Sequence, residues 1–328
     1  MNLSTTYMGL SLKNPLIVSS SRLTGDIKTI RQCINAGAGA IVLKSLFEEQ
    51  IRLDAESKLR GAKDSEMYYW FPEAKDQVVG MSMEANLEKY LAFISDLKKE
   101  TDVPIISSIN CITNEGWPKF AAAIEEAGAD AIELNIAIFP FHHSQESTDI
   151  EKQYVDILKE VKKHVSIPVA VKLGSYFTNL CAVARKLIDA GADSLVLFNR
   201  FFHPDININT MEVIADKYLS SPDEMSVPMR WIALMNGNEI GCEIAASTGV
   251  HDYQGAVKQI LVGAQVVQLC STLYINGVEV IRKIEDDLKK WMAQKRFDSL
   301  DDFRGKSLEK QTTDASFERV QYMKRNYE

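Results

Sequence analysis

Cysteine is sparse and unpatterned: Cys33, Cys111, Cys181, Cys242 and Cys270 are an odd number with no CxxC spacing. That excludes a disulfide framework and leaves reduced thiols. The five histidines are equally scattered, so no metal-ligand spacing is present and no metal is expected. No apolar run approaches the ~18 residues of a membrane span, and no membrane partner is expected. The opening Met1-Asn2-Leu3-Ser4-Thr5-Thr6 lacks the basic and apolar regions of a secretory leader, so the expected location is the cytoplasm. Basic excess is also missing. Lys and Arg total 37 against 45 acidic residues, a net charge of −8 with no basic stripe, which excludes nucleic acid as a partner. What is there, 46% hydrophobic and 25% charged residues over 328 positions, is ordinary globular composition, and barrels of this length form one domain.

One phrase recurs: a Gly-Ala pair that ends a helix, then a short apolar strand. The copies start at Ala36-Gly37-Ala38, Ala127-Gly128-Ala129, Ala190-Gly191-Ala192 and Val262-Gly263-Ala264, and run into Ile41-Val42-Leu43-Lys44, Ile132-Glu133-Leu134-Asn135, Leu195-Val196-Leu197-Phe198-Asn199 and Val266-Val267-Gln268-Leu269. Glycine past a helix end takes the left-handed conformation that caps it, and the apolar run reads as a buried parallel strand. Two more strands open on proline, at Pro104–Ile109 and Pro168–Leu173, where no ladder donor is needed. With Pro15–Ser20 and Glu243–Ala246 the strands number eight. Amphipathic stretches separate them, among them Ile150, Tyr154, Ile157, Leu158, Val161 and Val165, opened by a Thr148…Glu151 capping box. Eightfold alternation of strand and helix predicts a (β/α)8 TIM barrel over residues 1–295. A doubly wound sheet is the alternative, weakened because no GxGxxG follows the first strand.

The β2–α2 connection (about Leu46 to Met81, with Met67-Tyr68-Tyr69-Trp70-Phe71) and the β6–α6 connection (Arg200 to Val227) are too long for plain loops and are expected to cover the catalytic face. The polar extension 296–328 is expected to be pinned to the barrel at its start by Phe297, Leu300 and Phe303.

Barrel function concentrates where strands end. Those positions hold Ser19, Ser20 and Ser21; Lys44 and Ser45; Ser108 and Asn110; Asn135; Lys172; Asn199; Ser247, Thr248 and Gly249; Cys270 and Ser271. A buried ammonium needs a partner, so Lys44 and Lys172 are expected to face an anionic or electron-rich ligand. Asn135 and Asn199 each offer a donor and an acceptor for a substrate. Small residues after the last two strands, Ala246-Ser247-Thr248-Gly249 and Cys270-Ser271, suit a phosphate, which barrels commonly bind at these two loops.

These strand ends resemble the class 1 dihydroorotate dehydrogenases, soluble barrels that carry FMN. The resemblance covers Leu3 to Ile284, and the tail phrase Phe297–Gly305 is similar to one in dihydropyrimidine-type enzymes. It implies FMN held by Ser19, Ser20, Lys44, Ser45, Asn135, Lys172, Ala246, Ser247, Thr248, Gly249, Cys270 and Ser271. It also implies Lys172 at the pyrimidine edge of the flavin, where a cation stabilises the reduced ring, and Asn135 and Asn199 on a small cyclic, dihydroorotate-like substrate. The family's catalytic Cys is not matched: the phrase after Glu133-Leu134-Asn135 reads Ile136-Ala137-Ile138-Phe139-Pro140, with Ile138 in that place. His142, His143 and Cys111 are the substitute base candidates. Two other readings stay open: a Schiff-base lyase using Lys44 or Lys172, and a flavin-binding barrel without turnover. A homodimer is the one macromolecular partner left open.

Overall fold

Eight parallel strands close on themselves in the computed structural model, which describes residues 1–60, 72–139, 141–215, 218–309 and 317–318. They are β1 (Leu16–Val18), β2 (Ala40–Val42), β3 (Ile105–Asn110), β4 (Ala131–Asn135), β5 (Val169–Leu173), β6 (Ser194–Leu197), β7 (Glu243–Ser247) and β8 (Val266–Leu269). Each pairs with its sequence neighbours, and β1 with β8 completes the ring. The surrounding helices are α1 (Ile27–Asn35), α2 (Pro72–Glu100), α3 (Gly116–Glu126), α4 (Ser147–Lys162), α5 (Leu180–Asp189), α6 (Ser226–Gly237), α7 (Tyr253–Leu261) and α8 (Val280–Lys295). This is the expected (β/α)8 barrel.

The period of two along each strand splits the core. Outward residues such as Leu16, Ile41, Ile105, Ile132, Val171, Leu195, Ile244 and Val267 pack on the helices, while Ile17, Val42, Ile106, Val196 and Val266 fill the interior. Inner alanines (Ala40, Ala131, Ala170, Ala245) leave room for Tyr7 and Met8, carried by an N-terminal hairpin, Thr5–Tyr7 with Leu10–Leu12. The bottom of the barrel is thereby packed, with Ser194 Oγ on the Tyr7 hydroxyl and Glu243 accepting from the Met8 N–H, and a larger polar cluster lies at the opposite end.

The β2–α2 connection is not a loop throughout. A short strand, Leu46–Phe47, and a helix, Glu48–Arg60, follow β2; Met67–Phe71 lies outside the described residues. Buried Glu48 ties this helix to the β3 end, accepting from the backbone N–H groups of Ile112 (2.9 Å) and Thr113 (3.0 Å) and from Thr113 Oγ1 (2.7 Å). The β6–α6 connection carries an antiparallel hairpin, Pro204–Asn207 with Glu212–Ala215. The Thr148…Glu151 capping box does not form: α4 starts at Ser147, so Thr148 is already helical, and Glu151 is drawn to Lys186 of α5 at 2.8 Å. At the other end Leu300 and Phe303 are buried, Phe297 stacks on Phe303, and Arg304 donates to the carbonyls of Ala264 and Gln265. No helix among the described residues is long and apolar enough to cross a membrane.

Candidate active site

At the C-terminal end the barrel interior turns polar. Lys172 on β5 and Glu133 on β4 are 6% and 1% exposed, with Nζ 3.3 Å from Glu133 Oε1. Gln268 on β8 completes the cluster. Its Nε2 donates to Glu133 Oε2 (2.7 Å), and its Oε1 accepts from Ser19 Oγ (3.0 Å) and from Lys172 Nζ (3.4 Å). Three strands and the β1 end thus meet across the axis. Glu133 and Gln268 carry no role in the sequence reading, although each stands two residues before an inward strand end (Asn135, Cys270) and so faces inward as well.

Beside this cluster, Asn199 Nδ2 donates to Asn135 Oδ1 (2.9 Å), and Asn110 Nδ2 donates to the Asn135 carbonyl (2.7 Å). The two expected substrate residues are therefore brought together, and Asn110 joins them. Ser20, Ser45 and Ser108 form a hydroxyl chain, Ser20 to Ser45 at 3.0 Å and Ser45 to Ser108 at 2.7 Å. Lys44 departs from expectation. It is exposed, with its alkyl stem against Gly25, and it edges a cleft of about 410 Å³ beside Ser45 and Tyr90. A lysine just past a strand end reaches water with its long stem, so no buried charge arises there.

After β7, Thr248 and Gly249 both take positive φ, +82° and +81°. A β-branched residue in that region is an outlier that marks constrained sites. A Cβ on Gly249 would lie 2.4 Å from the Met225 backbone nitrogen, so the loop closes only on glycine. Buried Ser247 faces the site; the Ala246 side chain packs outward between sheet and helices, which leaves toward the loop its backbone, the part expected to approach a phosphate. After β8, Ser271 Oγ accepts from the Ser220 N–H at 2.9 Å, joining this loop to the β6–α6 connection. Cys270 is half-buried; burial pushes its thiol up, against the opposing pull of Lys172, Ser21 and Arg200. Gly249→Ala is expected to lower the unfolding midpoint well beyond Gly277→Ala. Both glycines have positive φ, which costs a residue with a Cβ about 1–3 kcal/mol, but nothing lies within 4 Å of a Cβ at Gly277. Equal shifts in thermal unfolding would contradict the close approach.

A family model for dihydroorotate dehydrogenase matches residues 2–292. The chain belongs to the dihydroorotate dehydrogenase family. It is accordingly an oxidoreductase of that family. Among its relatives is a protein of Thermoplasma volcanium named dihydroorotate dehydrogenase B (NAD(+)), catalytic subunit, 28% identical over 317 residues, with 94% of this chain and 99% of the relative covered. The protein of the same name from Methanocaldococcus jannaschii is 27% identical over 301 residues, covering 89% and 94%. A third relative, dihydropyrimidine dehydrogenase (NADP(+)), chloroplastic, of Arabidopsis thaliana, is 24% identical over 345 residues, covering 95% and 78%.

The loop after β4 carries the Ile138 position. Ile138 is partly buried, and its carbonyl accepts from Tyr176 OH at 2.9 Å. Tyr154 OH donates to the Ile136 carbonyl (3.1 Å) and lies 3.0 Å from Tyr176 OH. Phe139, Tyr176 and Phe201, one from each of three successive loops, form a triangle with ring centroids 5.3–6.1 Å apart. The rings of Tyr176 and Phe201 fill the space a side chain at Gly174 would take, 2.2 and 2.8 Å from its Cβ position. Of the substitute bases, Cys111 packs outward into the sheet–helix core, where burial and then the Glu48 carboxylate push its thiol up. It keeps its proton at neutral pH and does not face the site. His142 and His143 are exposed and stack on each other at 4.9 Å, with His142 Nδ1 bonded to Ser144 Oγ. Among the described residues no hydrogen bond joins either to Asn135, Asn199 or Lys172.

Proposed function

We propose that the chain binds FMN at this polar end of the barrel and passes a hydride between the flavin and a small, cyclic, planar substrate. The observation that carries the reading is the buried Lys172 ammonium at the barrel mouth, on the residue paired in register with Asn135. The residues fit such a group. They supply a cation for the electron-accepting edge of a heterocycle, amides and hydroxyls around it, and after β7 a loop of small residues, Ser247, Thr248 and Gly249, of the kind whose backbone barrels use for a phosphate.

FMN, when bound, accepts and returns the hydride; the protein orients and tunes. Lys172 opposes the negative charge that accumulates on reduction. Asn135 and Asn199 orient the substrate through one donor and one acceptor each, and Asn110 fixes Asn135 from behind. Phe139, Tyr176 and Phe201 wall the mouth on the β4–β6 side and favour a flat ring over a bulky one. Lys44 and Ser45 extend the flavin side, Lys44 at the rim. A lyase using Lys172 fits less well, since its amine is ion-paired with Glu133, whereas a Schiff-base lysine is activated by an apolar pocket or a neighbouring cation.

The reading extends to the setting. Five free thiols suit the reducing cytoplasm, and the family's name points to pyrimidine biosynthesis. A second copy of the chain is the expected macromolecular partner, supported by the exposed apolar hairpin with Ile206, Ile208, Met211 and Val213.

The test is the visible spectrum of the purified protein, with the released cofactor identified. A yellow preparation that releases FMN is expected. A colourless one that takes up no added FMN would overturn the reading. Ile138 favours one second reading, a flavin-binding barrel without turnover, which would hold FMN yet fail with every electron donor.

A further inference from the structure

We infer that Glu133 and Gln268 are positioning residues for Lys172, a clamp that fixes its ammonium on the barrel axis and attenuates the positive charge it presents to bound flavin. The inference rests on the proposal that FMN binds here. Lys172 has three N–H donors, and among the described residues two acceptors lie within reach, Glu133 Oε1 at 3.3 Å and Gln268 Oε1 at 3.4 Å. One N–H is left for a ligand.

The clamp is itself braced. Gln268 can meet a carboxylate at 2.7 Å only through its Nε2, which turns its Oε1 toward Lys172 and the Ser19 hydroxyl. The amide orientation is thus settled by chemistry, and both of its ends serve the ion pair. Below the clamp the interior packs Ile17, Val42, Ile106, Val196 and Val266 around the uncharged Tyr7 and Ser194 hydroxyls. Glu133 therefore has no second cation among its described partners, and its charge is balanced by Lys172 alone.

In a low-dielectric site the charges act in opposition at close range. Lys172 draws electrons onto the flavin, and Glu133 beside it cancels part of that pull. Removing the carboxylate charge while keeping its shape should favour the reduced flavin, but only while Lys172 is present, because a buried carboxylate left without its counter-charge takes up a proton and has no charge to remove. A residue that merely holds the fold would change stability and leave the potential alone.

The experiment measures the flavin reduction potential in FMN-loaded wild type, Glu133→Gln, Lys172→Met and the double variant, by equilibration with a reference dye. Glu133→Gln is expected to raise the ratio of affinities for reduced over oxidised flavin at least about tenfold, which is 29.6 mV for a two-electron couple. In the Lys172→Met background the same change should produce little rise. Should Glu133→Gln fail to fold, Glu133→Asp, which keeps the charge on a shorter stem, carries the test with a smaller rise in the same direction. An unmoved potential with FMN bound would overturn the inference, as would an equal rise without Lys172. Wild-type protein that takes up no FMN would instead defeat the proposed function.

Discussion

Lys172→Ala should cost the ligand-free protein about 3–5 kcal/mol of stability and, in the FMN-loaded protein, lower the flavin reduction potential. The stability loss follows from burial. Glu133 is 1% exposed, and without Lys172 its carboxylate keeps a single bond from Gln268 and no counter-charge. An uncompensated buried charge is far costlier than a broken surface pair. Lys99–Asp96 supplies the internal comparison: its 3.0 Å contact joins side chains 74% and 63% exposed, and such pairs contribute about 0–1 kcal/mol. Urea midpoints of Lys172→Ala and Asp96→Ala should therefore differ severalfold in their displacement from wild type. The potential falls because the cation opposing the added negative charge has gone. Equal midpoints would mean the Lys172–Glu133 contact is not a dry ion pair, and an unmoved potential would mean Lys172 does not face the flavin.

Local chemistry made much of this barrel readable in advance. Gly37, Gly128, Gly191 and Gly263 each follow a helix with φ between +94° and +109°, the conformation that the repeated Gly-Ala phrase predicts, and each leads into the expected strand. Lys172, Asn135 and Asn199 were readable for the same reason: each is a polar residue ending an apolar run. What escaped depended on a second step. Glu133 and Gln268 lie one inward position deeper than the strand ends, and strict alternation from Asn135 and Cys270 would have found them. The same alternation turns the Cys111 side chain outward, away from the site. Lys44 escaped differently, because whether a long side chain turns inward or to water is set by its neighbours, here Gly25 and the open cleft. The hairpin at Pro204–Ala215 touches little of the core, so no burial pattern announced it; its strand residues are nearly all exposed.

Dihydroorotate should reduce the bound flavin far more slowly than dithionite does. The groups proposed to bind flavin are present, whereas the resemblance to the family implies a base for the C5 proton at the position that holds Ile138 here. No neighbour steps in. The Tyr176 hydroxyl is held on the Ile138 carbonyl, and burial pushes it up, so it remains a protonated phenol at neutral pH. Tyr154 is raised the same way, and its hydroxyl is held on the Ile136 carbonyl. The two tyrosines pin the backbone of this loop at two points, which resists a rearrangement bringing His142 or His143 inward. Cys111 keeps its proton and points away. Loss of a general base typically costs ~10²–10⁴ in rate, so anaerobic mixing with dihydroorotate should bleach the flavin slower by that factor than in a family member with the catalytic Cys. Ile138→Cys tests the same point in reverse and should recover part of the rate, provided the pinned loop aims the new thiol at the substrate. Fast bleaching by the wild-type protein would overturn the prediction, and repeating it with His142 and His143 replaced would then identify whether either had taken over as base.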